Sequence, residues 1–169
     1  WRWFLSHNTP FRRDADGRRF ARHFHEPGRA DSLASDWAYS LHRGPTGTLW
    51  VGTVGGGLGR WTGTASRFEN FPLASLAGGP SSLDDVFAVH EVPDGRVWVG
   101  TRAGLVVLDP RQRKVERIDL TGVADEQPLV TTMHADLSGR LWVGSLAHGV
   151  FAVDTATRRW ERAHPGPPG

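Results

Sequence analysis

The chain has 169 residues, 22% of them charged, with a net charge of +2 and 38% hydrophobic residues, enough for one domain with a real core and too few to expect two. It has no cysteine, which excludes disulfides, thiolate metal sites and a cysteine nucleophile, and no apolar run approaches the roughly 18 residues of a membrane span. The charge is lopsided, with seven Arg against three acids in residues 1–30 and 13 basic against 15 acidic residues in 31–169, but the arginines lie singly and in pairs among acids and turn residues, so no nucleic-acid partner is expected.

The chain starts at Trp1 rather than Met, as a cut edge or a mature terminus would. Residues 1–24 hold Trp3-Phe4-Leu5-Ser6, then Phe11, then the alternating run Arg18 to Phe24, which together read as half of a structural unit, its last two strands. Residues 25–73 form the first complete unit, with the turn Pro45-Thr46-Gly47, the strand Thr48-Leu49-Trp50-Val51-Gly52-Thr53, the pair Gly57-Leu58 and the closing strand Arg67 to Phe71. Residues 74–120 repeat it with Pro93-Asp94-Gly95, Arg96-Val97-Trp98-Val99-Gly100-Thr101, Gly104-Leu105 and Lys114 to Ile118. Its strands are expected at about 86–92, 96–102, 104–109 and 114–120. Residues 121–164 repeat it again with Leu137-Ser138-Gly139, Arg140-Leu141-Trp142-Val143-Gly144-Ser145 and Gly149-Val150, and residues 165–169 read as a linker toward a further unit.

The repeated tryptophans stand 48 and 44 residues apart. Within a unit, successive apolar runs are two to five residues apart, too close for crossovers, so the strands pair as antiparallel hairpins. No segment keeps a 3.6-residue period, and helix content is expected near zero. Four-stranded meanders repeating every 40–50 residues are β-propeller blades. The expected fold is therefore all-β: a partial propeller of about three and a half blades in an open arc.

The combination of a Trp-Val-Gly-Thr strand after an Asp-Gly-type turn, then Gly-Leu, resembles the two-component regulator propeller repeat. The connectors Ser32-Leu33-Ala34-Ser35-Asp36 and Ser81-Ser82-Leu83-Asp84-Asp85 resemble that family's Ser-Leu-x-x-Asp link between blades. The third linker, Asp125-Glu126-Gln127-Pro128-Leu129, and the opening Phe4-Leu5-Ser6 depart from the pattern. The resemblance implies a bacterial, periplasmic sensor region without enzymology of its own. Any kinase or diguanylate cyclase output module would lie outside this chain. The partners it implies are an unidentified small-molecule or glycan ligand and the remaining blades of the parent chain. An enzyme of the streptogramin-lyase type and a structural interaction scaffold are the alternatives.

Trp3, Trp50, Trp98 and Trp142 are expected to fill the gap between packed blades, and Gly52, Gly100 and Gly144 to admit the neighbouring blade. The hydroxyls of Thr53, Thr101 and Ser145 are expected to satisfy nearby backbone. Asp94-Gly95 has no carboxylate counterpart in Thr46-Gly47 or Ser138-Gly139, which argues for a hairpin over a calcium site. Gly55-Gly56-Gly57 joins two strands and is followed by no Lys-Ser/Thr, so it is no phosphate loop. His42, His90 and His134 each precede their Trp by eight residues, on the strand that lines a propeller's channel. They are the candidate ligand-binding residues. Equivalent atoms on adjacent blades are expected on the order of 10 Å apart, too far to share a metal whose ligands sit about 2 Å away. No metal, cofactor or catalytic constellation is expected. An isolated arc would leave its two end blades with a bare face, an invitation to self-association.

Overall fold

In the computed structural model, residues 2–14, 16–63, 67–121 and 127–163 are described. Asp125 and Glu126 of the third linker, and the tail 165–169, lie outside the described residues. Fifteen strands form four antiparallel meanders among these residues. The first sheet holds β1 (Arg2–Ser6), β2 (Thr9–Arg13) and β3 (Phe20–Arg22). The second holds β4 (Ala38–Arg43), β5 (Leu49–Thr53), β6 (Gly57–Trp61) and β7 (Phe68–Phe71). The third holds β8 (Val86–Glu91), β9 (Val97–Thr101), β10 (Gly104–Asp109) and β11 (Lys114–Ile118), and the fourth β12 (Val130–Ala135), β13 (Arg140–Ser145), β14 (Gly149–Asp154) and β15 (Trp160–Ala163). Each strand pairs only with its sequence neighbours. This is a partial β-propeller.

Two expectations need correction. The opening 1–24 segment contributes three strands rather than two, because Thr9–Arg13 pairs fully with Arg2–Ser6 through the turn at His7 and Asn8, both at positive φ. Short helical structure does occur, as α1 (Leu73–Ala77) and a 3-10 turn at Ser81–Asp84. Both lie in the second connector, where they bury Leu73 and Leu83. Gly78 closes α1 in the left-handed conformation, which a residue with a Cβ resists.

The apolar core is divided among the seams between sheets. Leu33, Ala38, Leu49, Val51 and Phe68 pack with Trp3, Leu5, Leu41 and Trp61 between the first and second sheets. A second cluster, centred on Trp50, Leu58, Phe71, Leu83, Val86 and Val99, joins the second and third. The third, around Trp98, Leu105, Val130, Leu141 and Phe151, joins the third and fourth. Sheets covered on both faces lose the strict in–out alternation of a surface sheet, which is why β5 and β9 are buried at every position.

The repeated glycines set the spacing of these seams. A Cβ on Gly52 would lie 2.5 Å from Val86 Cγ1, and one on Gly100 would lie 2.5 Å from Val130 Cγ1. Each valine opens the inner strand of the following sheet. The atoms nearest a Cβ on Gly144 all belong to Thr132 of its own sheet. Thr53, Thr101 and Ser145 donate to the carbonyls of Gly57, Gly104 and Gly149 at 2.9, 2.9 and 2.8 Å, locking the turn between the second and third strands of each sheet.

Candidate functional site

β4, β8 and β12 lie side by side as the inner strands, and each carries a bulge at its start, at Tyr39, Phe87 and Thr131. A bulge re-aims the extra residue out of the ladder. Tyr39 is 54% exposed and meets Phe87 edge to face, ring centroids 4.9 Å apart. Trp37, just before β4, is 64% exposed and accepts a hydrogen bond from Val54 N–H through its carbonyl. Arg102 lies over Phe87 at 5.5 Å and forms an ion pair with Asp85 at 2.6 Å. Asp85 also accepts from Gly55 N–H at 2.9 Å. Leu146, in the equivalent loop of the fourth sheet, is exposed as well. The result is one rim of the arc carrying flat, accessible rings beside an oriented guanidinium.

The histidines sit three residues further along the inner strands, about 10 Å from the bulges at the strand rise. His42 and His90 are half-buried and His134 is exposed. The ring centroids of His42 and His90 are 5.1 Å apart, half the separation expected from sheet packing. The expected distance applies to sheet faces, whereas inner strands converge toward the axis and project side chains at one another. Burial holds His42 and His90 below the usual histidine pKa, and each is lowered further by the next imidazole, His90 acting on His42 and His134 on His90. His42 Nε2 accepts the backbone N–H of Glu91 at 3.0 Å. The structure brings His42 and His90 together. No group of three His, Cys, Asp or Glu side chains able to hold a metal occurs among the described residues.

The repeated tryptophans differ in how their indole N–H is satisfied. Trp50 donates to Glu91 Oε2, across the seam, at 2.8 Å. Trp142 donates to Asp136 Oδ2 of its own sheet at 2.9 Å. Trp98, with no exposed surface, has no partner for Nε1. The cause lies at two repeat positions. Gly44 makes room for Glu91, since any Cβ there would collide with its carboxylate. In the next seam the same two positions are Val92 and Ala135, which fill the space without an acceptor. Trp3 is partly buried, against His23 at 4.8 Å and Trp61 at 5.3 Å.

Tyr39 and Phe87 were not singled out by the repeat because the bulge position differs in identity from sheet to sheet, and Trp37 lies before β4. Their signal was exposure of large aromatic side chains, which only three-dimensional placement reveals. Likewise, the Glu91–Gly44 match joins different repeats and is invisible within either one.

No family model and no curated protein matches the chain in sequence. Its fold does match solved structures. The extracellular domain of the putative hybrid two-component system BT3049 from B. thetaiotaomicron matches with a TM-score of 0.77 at 18% identity, over 94% of this chain and 21% of that one. The corresponding domain of BT4673 from the same organism matches with a TM-score of 0.75 at 15% identity, over 95% and 23%. A catalytically inactive virginiamycin B lyase from Staphylococcus aureus with quinupristin matches with a TM-score of 0.67 at 14% identity, over 94% and 50%. The chain thus spans under a quarter of the extracellular domains' length and half of the lyase. These likenesses show the fold, and they include extracellular domains of hybrid two-component systems, the group whose repeat the sequence resembles.

Proposed function

We propose that the chain is part of a non-catalytic propeller that senses a ligand or partner in the extracytoplasmic region of a bacterial two-component or diguanylate cyclase regulator. The observation that carries this reading is the fit of nearly the whole chain to the extracellular domains of two such systems, in agreement with the repeat residues. The rim of exposed Trp37 and Tyr39 with half-buried Phe87, beside Arg102, supplies a recognition surface on a rigid scaffold, where loops carry function. No helix among the described residues is long and apolar enough to cross a membrane.

A second reading, a lyase of the streptogramin type, is favoured by the half-length match to virginiamycin B lyase and by an imidazole at His90 that forms no hydrogen bond among the described residues. One experiment separates the two. The purified protein is titrated with oligosaccharides and small metabolites while tryptophan emission is followed, and is separately incubated with quinupristin. Binding lost in Trp37→Ala and Tyr39→Ala at unchanged melting temperature supports the sensor. Turnover of quinupristin that disappears in His90→Ala supports the enzyme and overturns the sensor.

A further inference from the structure

Glu91 crosses the seam between the second and third sheets with three hydrogen bonds, all to the second sheet or its first turn. Its backbone N–H donates to His42 Nε2 at 3.0 Å. Its carboxylate accepts from Trp50 Nε1 at 2.8 Å and from Thr46 Oγ1 at 2.9 Å. Glu91 is 4% and Trp50 1% exposed, so the bond between them is not readily replaced by water. We infer that His42 is a proton-operated latch on this seam, closed when its ring is neutral and released when the ring is charged.

A backbone N–H can only donate. His42 Nε2 therefore carries a lone pair, and the single ring proton of the neutral form sits on Nδ1. Protonation places a second donor against the Glu91 N–H, and that bond is lost. The carboxylate of the same Glu91 favours the charged ring and is the acceptor we assign to the new N–H. To reach it, the carboxylate must leave Trp50 and Thr46. A single proton therefore exchanges one set of seam bonds for another, which is a two-state element rather than a gradual softening.

The charged and titratable groups acting on His42 are His90 and Glu91, both from β8. On its own strand the neighbour is Arg43, and behind His90 stands His134 of β12. From the first sheet, Arg12 lies over Trp61 at 5.4 Å and His23 packs against Trp3 at 4.8 Å, while the charges that act on His42 come from β8. Burial and the His90 imidazole oppose charging of His42, while Glu91 favours it, with burial the largest influence. The release accordingly falls below the ordinary histidine midpoint of about 6.5. At neutral pH the latch is closed.

The test uses the 169-residue chain with labelled histidine and amide nitrogens. Long-range proton–nitrogen spectra at pH 7.5 are expected to show His42 as the Nδ1–H tautomer. On titration to pH 4.5, the Glu91 amide, the Trp50 indole N–H and the His42 ring are expected to move with one shared midpoint below 6.5, while the far-ultraviolet circular dichroism stays constant. In His42→Gln, whose amide oxygen offers an acceptor that does not titrate, the shared transition is expected to vanish. An Nε2–H tautomer at pH 7.5 would overturn the inference without any variant. So would a Trp50 transition that persists unchanged in His42→Gln.

Discussion

Replacing Glu91 by Ala should reveal how much of the second seam depends on one carboxylate. The substitution removes the acceptor for Trp50 Nε1, a donor on a residue with 1% exposure, and such an orphaned buried donor costs about 1–3 kcal/mol. Thr46 is exposed and keeps a hydroxyl partner in Thr48 at 2.8 Å, so it contributes little. The vacated space beside Gly44 adds a packing loss, bringing the total to about 2–4 kcal/mol. Gly44→Val should be similarly harmful, because its side chain enters the volume that Glu91 occupies. The double variant Gly44→Val/Glu91→Ala reproduces the Val92/Ala135 pair of the next seam. It should refill the space and leave only the unsatisfied indole, at about 1–2 kcal/mol. Urea unfolding of the four proteins closes the cycle, and the coupling between the two positions should be at least about 2 kcal/mol in favour of the double variant. Losses that simply add would refute the reasoning.

Three further outcomes follow from the same geometry. Trp98→Phe should cost about 1–2 kcal/mol less than Trp50→Phe by equilibrium unfolding, because only Trp50 gives up a hydrogen bond and strands a carboxylate; equal losses would contradict this. His23, whose two ring nitrogens are buried without partners, is held down to about 4 by burial and by Arg12. The fold therefore favours its neutral form, a contribution complete above about 6.5 and lost as pH falls from there toward 4. His23→Phe, packed against Trp3 and Phe68, should show a flatter decline of Tm over that range, and an unchanged decline would rule the histidine out. Finally, exposed Phe20, Phe24 and Trp160 on the end sheets should drive self-association of the 169-residue chain, seen as dimers or larger species in sedimentation velocity at micromolar concentration. A monomer throughout would refute it.

The blades themselves were legible because each strand carries its own pattern and each turn its own residues. Within the 74–120 unit the observed strands Val86–Glu91, Val97–Thr101, Gly104–Asp109 and Lys114–Ile118 fall inside the segments expected from the β-branched and aromatic runs and the turns between them. What escaped the sequence depends on distances between repeats. Periodicity places His42 and His90 at one repeat position, yet says nothing of how inner strands converge, so their 5.1 Å approach was missed. The pairing of Thr9–Arg13 with β1 hides behind Pro10, which lacks a donor and weakens the strand signal. The helix at Leu73–Ala77 is too short to register a period at all.

The unlike seams also constrain how such a chain can change over generations. Residues 74–120 carry Glu91 on the side facing the second sheet and Val92 on the side facing the fourth. A tandem duplication of that unit alone would set the Val92 of one copy against the Glu91 of the next, where Gly44 now stands. Lineages could therefore gain a copy of this blade without strain only together with a compensating change at one of these two positions.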